Sequence, residues 1–325
     1  MKLALALSTL VLALLLASLS LGYAPLPLSA VLGGVLGNGD PLHVMVMQEI
    51  RLPRTALAAL VGAALGLSGA AMQGYLRNPL AEPGLIGVSG SAALGAVLAL
   101  QTGLSAAFAL ALPLMALVFA LGAVALILLL AGPRGGSLTL ILAGIAVSAL
   151  AGALTSLALN LSSNPYATFE IVFWMMGSVA DRSLTHLALA APLVAIGAAV
   201  LLTLGRGLDA LTLGEDGAQA LGVSMTALRL KLLFGTAAAV GAATAVAGAV
   251  GFVGLVVPHL LRPLCGARPS RLLWASALGG AAMLLAADIA VRLVLPERDL
   301  KLGVVMALIG APLFLHLIYK TRRGG

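Results

Sequence analysis

The chain has 325 residues, of which 61% are hydrophobic and only 9% charged, and its net charge is +7. A soluble domain carries about 25% charged residues, so this chain cannot cover a globular surface with polar groups and reads as an integral membrane protein. Its basic residues are scattered between apolar runs with no interleaved aromatic patch, which excludes a nucleic-acid binder and points to membrane topology instead.

Long apolar segments argue for helices rather than the alternating strands of a barrel. Residues 1–24 place Lys2 before an apolar run of roughly 20 residues, longer than the usual 7–15 of a secretory signal. They read as a first transmembrane helix, with a cleaved signal as the alternative. Residues 25–50 form an outside segment. Arg51 and Arg54 mark a membrane surface, because a guanidinium is costly in hydrocarbon. A second helix follows over 55–74, with Gly62, Gly66, Ser68 and Gly69 allowing close helix approach. The stretch NPLAEPG, 78–84, breaks it, since proline removes a donor and restricts the residue before it.

A third helix is expected over about 85–100 and a fourth over 106–130, with Pro113 as a kink. The fifth covers 138–159. Residues 160–183 carry Tyr166, Phe169, Phe173 and Trp174 and read as a short interfacial helix. The sixth helix spans 186–204. Residues 205–230, with Asp209, Glu215, Asp216 and Gln219, are too polar to cross and predict two short helices broken near Gly214 and Gly222. The seventh helix is 231–250. A short or broken eighth runs over 251–264 around Pro258, the ninth over 272–291 and the tenth over 302–319. With about ten spans both termini fall inside, and the inside loops then hold most of the Lys and Arg.

A weak internal repeat supports that count. Gly62-Ala63-Ala64 and Gly69-Ala70 match Gly241-Ala242-Ala243 and Gly248-Ala249, and the same offset brings Pro79 onto Pro258. The second and seventh helices run in opposite directions in this topology, the signature of an inverted repeat in transporters.

No phosphate-cradling GxxxxGK[ST], no HExxH and no GxSxG occurs, so catalytic residues of its own are not expected. The single Cys265 excludes an internal disulfide. Asp288 is the one acid well inside an expected span, with Arg292 four residues later on the same helical face. It reads as a paired anchor near the outer surface, or as a proton or cation site. Gln73, Thr236 and Thr244 are candidates for bridging helices. So sparse a set of fixed charges suits a bulky solute better than a bare metal ion.

The stretches RLPR at 51–54, GLSGAAMQ at 66–73, NPLAEPGLIGVS at 78–89, LTLGEDGAQALGV at 211–223, GAVGFVGLVVPHLLR at 248–262 and GVVMALIGAPLF at 303–314 resemble the permease subunits of bacterial type II ABC importers, the FecCD- and BtuC-like iron-chelate and cobalamin permeases. The resemblance covers nearly the whole chain, as one transmembrane permease domain over 1–325 with a cytoplasmic coupling loop at about 205–230. It implies an all-α, multi-pass protein of the bacterial inner membrane. Its implied partners are a second copy of the chain, two ATP-binding cassette subunits that use ATP and Mg²⁺, and a periplasmic binding protein. No cofactor is expected on this chain. The resemblance assigns Arg51, Arg54 and Arg292 to docking of the binding protein. It assigns Leu213, Gly214, Glu215, Ala218, Leu221 and Gly222 to coupling with the ATPase. Asn78 and Leu80 form a cytoplasmic gate, with Ser137 as a weaker match to a second gate segment. Lys301 stands where the family usually has Pro. The implied function is ATP-driven import of an iron chelate, a siderophore complex or haem. Corrinoid import is the alternative, and an ion-coupled carrier using Asp288 or a membrane scaffold are alternatives of other classes.

Overall fold

Apolar runs bounded by glycine, proline and capping residues set the elements seen in a computed structural model, which describes residues 2–22, 26–108, 110–132, 136–162, 165–294 and 300–323. Every regular element among these residues is helical. In chain order they are α1 (Lys2–Ser20), α2 (Leu28–Val35), α3 (Pro41–Met45), a π-helical turn (Val46–Arg51), α4 (Leu52–Leu76), a 3-10 turn (Pro83–Ile86), α5 (Val88–Gln101), α6 (Leu104–Ala107), α7 (Ala111–Ala131) and α8 (Ser137–Asn160). The second half continues with α9 (Pro165–Met175), α10 (Leu184–Leu202), α11 (Gly205–Leu211), α12 (Glu215–Ala220), α13 (Met225–Ala247), α14 (Val253–Leu261), α15 (Pro269–Val294) and α16 (Leu302–Arg323). Among the described residues, seven helical stretches are long and apolar enough to cross a membrane, and Val88–Gln101 and Leu302–Leu315 are shorter apolar helices. The chain is therefore a multi-pass, all-α membrane protein.

Local chemistry explains several boundaries. Asp40 caps α3 by accepting the Leu42 N–H at 2.8 Å, with Pro41 in the first turn, where a missing donor is harmless. Ser224 caps α13 through the Ala227 N–H. Ser183 and His186 form a reciprocal box at the start of α10. Gly214 and Gly222 both have positive φ, 98° and 83°, and break the polar segment where expected.

Small residues place the core. Gly62 and Gly66 of α4 lie directly against the Gly280 and Ser276 carbonyls of α15, so these two helices pack antiparallel in backbone contact. Gly235 of α13 meets Gly197 and Leu201 of α10, and Gly241 meets Ala120 of α7. The repeat is thus visible in three dimensions. Gly62 and Gly241 occupy matching sites on α4 and α13, and each faces a helix of the opposite half. Tyr75 near the end of α4 and Arg229 near the start of α13 line one cleft, so the two helices run in opposite senses.

The equivalence stops at the helix ends. Pro79 lies in the loop after α4, whereas Pro258 lies inside α14, so the offset that pairs them by sequence does not hold structurally. Three other expectations also change. Pro113 stands in the first turn of α7, because the expected single helix is divided into α6 and α7 just before it. The helical run into α4 begins at Pro41, well before 55, through the π-helical turn. Helix α13 begins at Met225, since Arg229 and Lys231 fit the amphipathic end of a span.

Two connections re-enter the protein. After α4 the chain doubles back, so that Pro83 packs on Gly254 and Gly87 on Val147 and Ser148, partway along α8. From the opposite direction, 248–252 leads to an α14 that starts beside Leu65 and Gly69, partway along α4. Helices α5 and α14 therefore both begin at mid-depth. Irregular backbone at that depth is tolerated only where protein or a cavity surrounds it.

Candidate functional site

The first cluster lies where α1 ends and α4 begins. A helix leaves its last carbonyls without partners, and in an apolar environment each such group is costly. Arg51 Nη1 donates to the Leu19 and Ser20 carbonyls at 2.8 and 2.9 Å. Arg292 Nη1 donates to the Ser18 and Leu21 carbonyls at 2.8 and 3.1 Å. Asp288 pairs with Arg54 at 2.9 Å and with Arg292 at 2.8 Å. The Ser18 and Thr55 hydroxyls close the cluster at 2.7 Å. The paired-anchor reading of Asp288 fits, and Arg54, 234 residues away, is a second partner that sequence reasoning missed. Asp288 is only 1% exposed, and the arginines range from 6% for Arg51 and Arg292 to 18% for Arg54. Arg54 is thus the most accessible of the three; Arg51 and Arg292 are chiefly engaged in holding α1.

Lys301, in the connection to α16, sits 5.3 Å from the centre of the Phe173 ring of α9. That cation–π contact ties α9 to the start of α16, beside the Gly303 N–H, which donates to the Gly177 carbonyl at 3.2 Å. The neighbouring Arg298 and Asp299 lie outside the described residues.

The second cluster is at the opposite end. Asp209 of α11 accepts from Arg268 Nε at 2.7 Å and from the Ser270 N–H and hydroxyl at 2.8 and 2.7 Å, capping α15. Burial works to raise the Asp209 pKa, but the Ser270 backbone N–H, Arg268 and the Ser270 hydroxyl outweigh it and hold the carboxyl below its ordinary value. A depressed pKa adds stability above the unfolded value of about 3.9 and loses it as the pH falls through the folded value. Asp209→Asn is expected to melt below the wild type at pH 7, with the gap closing under acid conditions below about pH 4. Thermal melts across pH check this.

Beside Asp209, α11 and α12 form the polar segment. Leu213 and Leu221 are 70% and 64% exposed. Ala218 is fully buried and anchors α12, its carbonyl accepting the Val223 N–H at 3.0 Å. Of the coupling candidates it alone faces inward. Glu215 lines a cleft of about 580 Å³ with Tyr75, Gln219 and Arg229. Arg77 ends α4 in the left-handed region with φ 49°. Asn78 is exposed, and its Oδ1 accepts the Leu80 N–H at 2.9 Å, fixing the turn that carries both. Ser137 opens α8, and its side chain lies outside the described residues.

The third cluster joins Gln73, a bridging candidate in the sequence, to Glu82, which the sequence did not single out. Gln73 Nε2 donates to the Gly254 and Leu255 carbonyls at 3.3 and 3.2 Å, and its Oε1 accepts from Arg262 at 2.6 Å. Gln73 therefore bridges α4 and α14, as expected of it. Thr236 and Thr244 are buried on α13, and the Thr236 hydroxyl has no hydrogen-bond partner among the described residues. Glu82 falls in the proline-marked stretch that the sequence reads as a helix break. It accepts the Phe252 N–H at 2.8 Å and lines a cavity of about 130 Å³ with Leu65, Ser89 and Gly251. An acid between prolines in an otherwise apolar re-entrant stretch is the signal that could have found it. Among the described residues no group of His, Cys, Asp and Glu could hold a metal ion.

A multi-pass helical protein with two helices broken at mid-depth and a polar segment at one end belongs to the class of membrane transport permeases. Comparison with known proteins narrows this: residues 10–320 match the FecCD transport family. The chain is 40% identical over 298 residues to the uncharacterized ABC transporter permease protein YvrB of Bacillus subtilis (strain 168), covering 90% of this chain and 84% of that one. It is 38% identical to the hemin transport system permease protein HmuU of Yersinia pestis, covering 95% and 94%. A solved structure of a metal-chelate type ABC transporter in an inward-facing conformation superposes with TM-score 0.87 and 36% identity over 98% of this chain and 99% of that one. Other relatives at 38–41% identity are named for Fe(3+) dicitrate, molybdate and vitamin B12. The chain belongs to the FecCD transport family and is a permease of the type II ABC importers.

Proposed function

We propose that this permease moves a bulky iron chelate, a siderophore complex or haem, inward across a bacterial inner membrane, driven by ATP hydrolysis on a partner subunit. The observation that carries the proposal is the match over nearly the full chain to permeases of this kind, two of them named for Fe(3+) dicitrate and hemin. Vitamin B12 is the second reading, favoured by relatives at 41% identity.

In this proposal α14 completes about ten spans, with both termini in the cytoplasm. The Asp209 end is cytoplasmic. Its basic residues Arg77, Arg206, Arg229, Lys231, Arg262, Arg268 and Arg271 support that side. The Arg51 end is periplasmic, and Arg54, with Arg51 and Arg292 behind it, receives acidic groups of a binding protein. Leu213, Gly214, Glu215, Leu221 and Gly222 sit in a cleft of the ATPase, with Ala218 holding their helix in shape. The exposed leucines Leu213 and Leu221 supply the apolar contact such an interface needs. Asn78 and Leu80, with Ser137 across the path, close the cytoplasmic side. A second copy completes the path, and the apolar stripe Leu138, Leu142 and Ile145 on α8 is available to it. The chain itself holds no cofactor; ATP and Mg²⁺ belong to the ATPase.

The test is uptake into proteoliposomes containing the permease, its ATPase and its binding protein, offered haem, a ferric siderophore and cobalamin separately. ATP-dependent uptake of an iron chelate is expected. Replacing Gly214 and Gly222 together by valine should leave hydrolysis running without uptake, because both positions have left-handed φ that a β-branched residue resists. Uptake that followed an imposed proton gradient without ATP would instead favour a carrier built on Asp288.

A further inference from the structure

The cytoplasmic gate turn is held at both ends by one short helix, α14. Before the turn, Gln73 of α4 is bonded to the Gly254 and Leu255 carbonyls and to Arg262. After the turn, Glu82 accepts the Phe252 N–H at the start of α14. The first N–H groups of a helix lack intrahelical partners and carry partial positive charge. A carboxylate brought in from 170 residues away supplies what a local capping residue would normally supply. None of the ion pairs among the described residues involves Glu82, so its chief fixed partner is the end of α14.

Phe252 itself has φ 67°. A bulky side chain in the left-handed region is strained and persists only where its surroundings hold it. Two contacts do so: Glu82 on its N–H, and Gly310 of α16, whose missing side chain makes room for the ring. One residue thus joins the loop after α4, the start of α14 and the middle of α16.

We infer that Glu82 is a positioning residue for gating: its carboxylate latches the gate turn 78–83 to the strained start of α14, so that the turn keeps its place and moves with α14 only while that latch holds. The inference rests on the permease reading for its consequence in transport, but its geometry concerns this chain alone. It also gives the other half of the repeat a role, since a shift of α14 moves both anchors of the gate turn together.

The experiment compares wild type, Glu82→Ala and Glu82→Gln in the assembled transporter, by two measurements. The first is hydrogen exchange. Loss of a hydrogen bond to a charged acceptor should speed exchange about 10-fold or more in both 78–87 and 251–256 of Glu82→Ala, while Glu82→Gln, which keeps an acceptor oxygen, stays close to wild type. The second is leakage, without ATP, of preloaded haem, ferric dicitrate or cyanocobalamin, whichever the wild type imports. Glu82→Ala should leak about 10-fold faster and Glu82→Gln should not. If Glu82→Ala does not assemble, Glu82→Asp, one methylene short of Phe252, takes its place with the same expectation. Faster exchange confined to 78–87, or wild-type leakage with unchanged exchange at 251–256, overturns the latch. A wild type that imports none of the three solutes counts against the proposed function, while the exchange measurement still decides whether Glu82 couples the two segments.

Discussion

Asp288→Ala is expected to cost roughly 3–5 kcal/mol, the range for removing one partner of a buried ion pair and leaving the other charges uncompensated. Asp288 is fully enclosed and serves two arginines at once, at 2.9 and 2.8 Å. Without it Arg54 and Arg292 repel each other at low dielectric. Arg292 also holds the Ser18 and Leu21 carbonyls, so its reorientation would free the end of α1. Replacing Asp288 and Arg54 together by leucine should recover only the part of the loss that comes from stranding Arg54, because Arg292 remains buried without its counter-charge. Thermal melting of the detergent-solubilised protein reads both variants. Equal melting temperatures for Asp288→Ala and wild type would show that the cluster is solvated and the anchor unimportant.

Gly69→Ala should also be severe, at about 3 kcal/mol or more, the upper end for overpacking. A Cβ there would fall on the Gly254 carbonyl and Cα, which are backbone atoms that cannot swing aside. The displacement would push α14 from α4 and break the bonds that Gln73 makes to it. Gly152→Ala on α8 is the control, since nothing lies within 4 Å of its added methyl. There alanine should stabilise by about 0.5–1 kcal/mol, because glycine is a poor interior helix residue. Opposite signs for the same chemical change would place the tight seam at α4 and α14.

Both variants lie where sequence reasoning was partly blind. The spans were legible because apolar runs, small residues and glycine breaks are local patterns, and the breaks at Gly214 and Gly222 were read correctly for that reason. Pro113 misled because a proline is harmless in a first turn, and its sequence does not say where that turn begins. Asp288 was found through Arg292, its neighbour by one helical turn, but Arg54 was missed as a partner because the contact crosses most of the chain. Glu82 was hidden for a related reason. A Pro- and Gly-rich stretch with one acid looks like a solvated turn, and only the fold shows that it re-enters. The candidate residues of the polar segment were located by resemblance, and the structure then separated Ala218, which faces inward, from exposed Leu213 and Leu221.

The arginine cap on α1 has a consequence for synthesis. The Ser18 carbonyl is bonded to a residue 274 positions downstream. At roughly 5–20 residues per second, Ser18 is synthesised about 14–55 s before Arg292 exists. Through that interval Arg51 can already hold the Leu19 and Ser20 carbonyls, but those of Ser18 and Leu21 wait for Arg292, so the cap on α1 is completed only after α15 is made. Nascent chains arrested before α15 should therefore carry an inserted N-terminal helix whose Ser18–Leu21 end is more open to a water-borne thiol label, placed there as a cysteine, than it is once α15 has been made.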